Sequence, residues 1–104
     1  MVRREVIQSA GFLDEAYFMY GEDLDWCYRI KKAGWKIFYN PSVSVLHKKK
    51  QSGRDSKYRM LRKKTNKYFY ETMNLFYNKH YRYRYSWFVT GLVRVGITLK
   101  MMLR

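Results

Sequence analysis

Three carboxylates, Glu22, Asp23 and Asp25, fall within four residues in a run that reads YGEDLDWCYR over positions 20–29. Acids this close can take a proton from a hydroxyl, bind a cation, or do no more than complement the dipole of a helix start. Tyr20 and Trp26 flank them with rings that could contact a ligand or pack in a core. The other chemistry-bearing side chains are sparse. Cys27 is the single cysteine, which excludes an internal disulfide, and with only His47 and His80 beside it no closed Cys/His zinc site is available.

Several elements must position these groups. Residues 2–10 read as the end of a helix with Val2, Val6 and Ile7 on one face and Gly11 to stop it. An aromatic-rich loop follows over 12–20. Residues 22–33 read as a second helix, with Leu24, Cys27 and Tyr28 at i, i+3, i+4 spacing as the apolar face and Cys27 as a small core residue. Its acids sit in the first turn and Arg29, Lys31 and Lys32 near the end, so charge order suits the helix dipole. Asp25 and Arg29 form an i, i+4 pair, and Gly34 is placed for C′. Residues 35–39 and 43–47 read as two short strands about a turn at Asn40 and Pro41. After a polar loop, 48–54, a long helix is expected from Ser56, with a seam of Leu61, Thr65, Phe69, Met73 and Phe76. The run at 82–85 breaks it, and Ser86 opens a last helix, 87–103. That helix is apolar except for Lys100 and a stripe of Ser86, Thr90, Arg94 and Thr98.

The net charge of +14 is unevenly spread. Residues 1–25 carry six acids and two bases, a net of −4, while residues 26–104 carry twenty bases and two acids, Asp55 and Glu71, a net of +18. A hydrophobic content of 47% and aromatic content of 19% argue against a disordered tail. The basic part suits nucleic acid, anionic lipid or phosphate-bearing substrates. The N-terminus has no apolar signal-peptide core, and the lone cysteine suits a reducing compartment.

The stretch GFLDEAYFMYGEDLDWCYRIKKAGWKIFYNP at 11–41, followed by His47, resembles family 2 glycosyltransferases of the rhamnosyltransferase-like kind. Their motif reads roughly G-G-F-D-E-x-F-F-x-Y-x-E-D-x-D-L-C-x-R-x-x-x-x-G-x-x-x-x-Y-x-P, then a histidine. The likeness covers residues 3–50. It departs where Ala10 replaces one glycine of a pair, where Leu13 is inserted before Asp14, and where Trp26 stands for leucine. The resemblance implies an α/β fragment, the C-terminal part of a GT-A fold (a helix plus a short β-hairpin), here followed by two α-helices. It implies inverting transfer from a nucleotide-sugar donor to a growing cell-surface polysaccharide or lipid-linked glycan. Asp23 would be the catalytic base. Asp25, Glu22, Tyr20 and Trp26 would bind the acceptor, and His47 would lie near a divalent metal, Mg or Mn, and the donor diphosphate.

On this reading residues 1–50 are the C-terminal part of a catalytic domain and 51–104 a basic helical tail. No D-x-D metal motif precedes Asp14, and no glycine-rich phosphate loop exists. The chain is therefore expected to be one part of a transferase, inactive alone and without a cofactor of its own. For the tail, a cytoplasmic, peripheral position at the inner face of the membrane is expected. Residues 87–103 are at the lower limit for a span, and Arg94 and Lys100 would each cost roughly 2.5–3.5 kcal/mol at a bilayer centre. Bases beside an anionic leaflet contribute about 1 kcal/mol each. The alternative is a non-catalytic basic helical module that binds anionic membrane or nucleic acid. Nucleic acid is the weaker choice because no recognition motif accompanies the charge. A homo-oligomer that hides the apolar faces is a third use of the tail.

Overall fold

The computed structural model describes residues 1–46 and 58–103. The described residues contain four helices: α1 (Arg4–Ala10), α2 (Glu22–Lys32), α3 (Arg59–His80) and α4 (Trp87–Met102). The described residues contain no strand, so the expected α/β fragment with a β-hairpin is replaced by an all-helical arrangement. The reason is local. Asn40 Oδ1 accepts from the Ser42 amide at 3.0 Å and the Ser42 hydroxyl at 2.6 Å, which closes a tight turn on a side chain rather than on a ladder. A lone two-stranded hairpin is marginal in water. Here Phe38, Tyr39, Val45 and Leu46 stay exposed instead of facing a core. His47, the polar loop 48–54 and the Ser56 cap lie outside the described residues.

α1 and α2 are joined through unsatisfied carbonyls. A helix end leaves its last carbonyls without intrahelical donors. The Gly11 amide bonds Ile7 O at 2.8 Å, and Gly11 turns the chain away with φ 77°. The freed carbonyls are taken up by α2: Arg29 Nη1 donates to Ala10 O at 2.5 Å, Arg29 Nη2 to Phe12 O at 2.6 Å, and Trp26 Nε1 to Gly11 O at 2.8 Å. α2 ends as expected at Gly34, with φ 90°. The Gly34 amide bonds Lys31 O at 3.0 Å and the Trp35 amide bonds Ile30 O at 3.2 Å, the paired bonds of a Schellman motif.

The loop before α2 is set by two consecutive left-handed residues, Tyr20 (φ 69°) and Gly21 (φ 79°). α3 lies against it. Thr72 Oγ1 donates to Met19 O at 3.1 Å and Tyr20 O at 3.2 Å. A Cβ at position 21 would sit 2.2 Å from Thr72 Cγ2, so the approach needs glycine. Ring contacts continue the seam, with Phe18 on Tyr68 (5.0 Å), Tyr20 on Phe69 (5.9 Å) and Tyr28 on Phe76 (5.7 Å). Of the expected α3 seam, Thr65 is buried and Phe69 and Phe76 are half-buried, while Leu61 and Met73 are exposed. Thr65 Oγ1 bonds back to Leu61 O at 2.9 Å, so its burial leaves no polar atom unmet.

α4 folds back on α3 after a turn at residues 81–86. Thr90 and Ile97 are buried, the Tyr77 and Thr90 hydroxyls lie 3.2 Å apart, and Arg94 Nη2 donates to Asn78 Oδ1 at 3.0 Å. Two members of the polar stripe, Thr90 and Arg94, thus meet α3, while Thr98 is exposed and bonds back to Arg94 O at 2.9 Å. Ser86 stands at the N-cap position without a side-chain cap bond.

Candidate functional site

The acid run divides across the first turn of α2. Successive helical residues are 100° apart, so Asp23 and Asp25 point about 200° apart. Asp23 is exposed. Its Oδ1 accepts from the Leu24 amide at 2.8 Å, and Oδ2 has no partner among the described residues. Glu22 is half-buried, and its Oε2 is sheltered from solvent with no hydrogen-bond partner among the described residues.

Asp25 is 0% exposed. Its carboxylate is saturated by groups from three parts of the chain. Arg29 Nε donates to Oδ2 at 2.8 Å, Lys79 Nζ to Oδ2 at 3.0 Å, His80 Nε2 to Oδ1 at 2.6 Å, and the Tyr17 hydroxyl to Oδ1 at 3.2 Å. An ionised carboxylate only accepts, so His80 Nε2 must carry its proton. Lys79 also donates to Asp14 Oδ2 at 2.5 Å and lies 5.6 Å from the centroid of the Tyr17 ring. Burial pushes the Asp25 carboxyl up, but the bonds from His80, Lys79 and Arg29 prevail and bring it down to about 2. The Lys79 bond, with a smaller contribution from the Ala16 amide, lowers Asp14. Burial pulls Lys79 down, yet its bonds to Asp14 and Asp25 raise it overall. Burial and the adjoining Asp25 charge push the Tyr17 phenol up, which keeps it a donor.

The expected site residues therefore occupy different settings. Asp23 and Glu22 offer unpaired oxygens. Tyr20 is half-buried with its ring edge on Phe69. Trp26 has its indole N–H committed to Gly11, and Asp25 has no accessible oxygen to offer an acceptor hydroxyl. Cys27 and Leu24 are exposed, against the expected apolar face, because α2 is rotated to bring Asp25 inward to its cations. The Asp25–Arg29 pair was legible from i, i+4 spacing. Lys79, His80, Tyr17 and Asp14 were not singled out by the sequence. Lys79 and His80 are more than fifty positions from Asp25, and no local pattern connects them.

Among the described residues no group of three or more His, Cys, Asp or Glu side chains is arranged to hold a metal ion. Asp25 is already neutralised by Arg29 and Lys79. These residues do not fit a divalent cation.

No protein-family profile and no solved structure matches the chain. It is 52% identical over 56 residues to an N-acetylglucosaminyl-diphospho-decaprenol L-rhamnosyltransferase from two strains of Mycobacterium tuberculosis, a match covering 53% of this chain and 18% of that protein. It is 40% identical over 43 residues to rhamnosyltransferase WbbL of Escherichia coli, covering 41% of this chain and 16% of that protein. The matched part spans less than a fifth of the length of these relatives. Over that part, the kinship of the chain is with glycosyltransferases.

Proposed function

We propose that the chain is the acceptor-side part of an inverting, family 2-like glycosyltransferase, with Asp23 as its base. The carrying observation is the division of the acid run: Asp25 is locked and charge-satisfied, while Asp23, two residues away, presents a carboxylate oxygen with no partner among the described residues. The partial identity to rhamnosyltransferases supports the reaction class.

In this reading Asp23 accepts the proton of an acceptor hydroxyl as the hydroxyl oxygen bonds to the anomeric carbon. The bond from that carbon to the nucleoside diphosphate breaks, and the diphosphate leaves with the electron pair. Glu22, half-buried and adjacent in sequence, and the half-buried Tyr20 complete the acceptor contacts. Asp25 and Trp26 act as positioning residues: one ties the first turn of α2 to α3, the other ties α2 to the end of α1. The acceptor is a glycan or lipid-linked glycan. The nucleotide-sugar donor, and any divalent metal with His47 near it, belong to parts of the enzyme beyond the described residues.

A chimera tests this. Residues 3–50 of the chain replace the corresponding stretch of the Mycobacterium tuberculosis rhamnosyltransferase, and sugar transfer is measured. The chimera is expected to be active. Asp23→Asn should lower turnover by about 10²–10⁴-fold, the usual contribution of a general base, with the acceptor KM little changed. A folded but inactive chimera, or full turnover in Asp23→Asn, would overturn the assignment. The isolated 104-residue chain is expected to show no transfer.

A further inference from the structure

α4 leaves most of its apolar surface uncovered: among its apolar side chains only Ile97 is buried. Its polar positions Thr90 and Arg94 turn toward Tyr77 and Asn78 of α3. Its outer face is a continuous apolar stripe: Phe88, Leu92, Val95, Leu99 and Met102 recur at spacings of four and three, and so share one side of the helix. Every one of them is more than half exposed, from 53% at Leu99 to 76% at Met102. Helical periodicity places Arg94 and Lys100 on opposite flanks of that stripe. Trp87, exposed at the start of α4, follows a run in which Arg82 and Arg84 alternate with Tyr83 and Tyr85.

We infer that this outer face of α4 seats in the interface of an anionic lipid bilayer, with the helix lying in the membrane plane. Charge selects this occupant over a second copy of the chain. Glu71 is the only acid between residues 58 and 103, so a twofold pairing of α4 would bring Arg94 and Lys100 against the same cations of the partner with no carboxylates between them. An anionic leaflet supplies the missing counter-charge along both flanks, and the acyl boundary takes up the stripe. Sixteen residues extend about 24 Å, short of a hydrocarbon core of about 30 Å. Among the described residues no helix is long and apolar enough to cross a membrane. Tryptophan and tyrosine beside arginine suit the headgroup level at one end of such a helix.

The inference does not rest on the transferase reading, because binding is read on the chain itself. Vesicles of phosphatidylcholine with phosphatidylglycerol, and of phosphatidylcholine alone, are sedimented with the purified chain. Binding to the anionic vesicles is expected, with little to the neutral ones. The double variant Leu92→Asp/Val95→Asp should reduce the bound fraction by about tenfold or more, since both changes remove apolar contact and add repulsion. Both positions face away from α3, so far-UV circular dichroism should show helix content retained, and the milder Leu92→Ser/Val95→Ser should give an intermediate loss. Equal binding by the folded double variant would reduce the effect to nonspecific charge and overturn the seat. So would an absence of vesicle binding by the parent chain, whether it is accompanied by a dimer in sedimentation equilibrium or by salt-sensitive binding to DNA.

Discussion

Two regions of the molecule turn polar groups inward and leave apolar ones outside, and they do so for different reasons. Where α2 meets α3, Asp25 is sheltered and Leu24 exposed. There Arg29, Lys79, His80 and Tyr17 all converge on one carboxylate, and charge-assisted bonds of this kind offset the cost of desolvation. Where α4 meets α3, the inward polar contacts are one hydroxyl pair and one Arg–Asn bond. Each such contact contributes only about 0.5–1.5 kcal/mol net, far less than the exposed stripe on the other side would gain from cover. An inward polar residue explains itself when enough partners meet it. With few partners, the explanation lies with the face turned outward.

The comparison breaks most readily at Asp25. Asp25→Ala would leave Lys79, His80 and Arg29 together without their common counter-charge. Removing one partner of a buried ion pair typically costs about 3–5 kcal/mol, a large share of the stability of a small domain. Urea unfolding should show that loss, with α3 released from the loop at residues 17–21. A change under about 1 kcal/mol would instead assign the junction to the ring contacts of Phe18 with Tyr68 and Tyr28 with Phe76.

Acid should separate the two regions without a mutation. The folded-state pKa of Asp25, about 2, lies below its ordinary value of 3.8, and Asp14 is lowered in the same direction. Ionised Asp25 therefore stabilises the fold fully above pH ~4, and that contribution is lost as the pH falls from there through about 2. The hydroxyl pair and the Arg94–Asn78 bond have no group that titrates in this window. Hydrogen exchange should show α2 amides losing protection between pH 4 and 2 ahead of those where α4 meets α3. Simultaneous loss in both regions would mean that one cooperative unit spans them.

Local chemistry was readable in the sequence and long-range chemistry was not. The ends of α2, its charge order, the Asp25–Arg29 pair and the C′ role of Gly34 all depend on neighbours within a few positions. So did the polar stripe of α4, though the inward direction of Thr90 and Arg94 was not legible. The period-2 runs at 35–39 and 43–47 carry a strand pattern, but a pattern supplies no pairing partner, and the Asn40 turn closes on a side chain. The junction at Asp25 depends on Lys79 and His80 arriving from the far end of α3, and no spacing rule reaches that distance. The rotation of α2 that exposes Cys27 and Leu24 follows from the same junction. The expected apolar face therefore failed at Leu24 and Cys27, where the cations outweighed the hydrophobic pattern, and held at Tyr28, which packs on Phe76.

The smallest expected effect lies in the polar contact that holds α4. Tyr77→Phe removes a hydroxyl 3.2 Å from Thr90 Oγ1 and leaves that buried oxygen to find another partner. The expected loss is about 1 kcal/mol, within the usual range for a neutral hydrogen bond. Thr90→Val alone should cost a similar amount. The double change leaves an apolar pair of nearly the same shape, so the two losses should not add, and a double-mutant cycle should return a coupling of about 0.5–1 kcal/mol. Coupling indistinguishable from zero would show that Ile97 and its apolar neighbours hold α4 against α3 unaided. The inward positions of Thr90 and Arg94 would then follow from the packing of Ile97 and not from their own bonds.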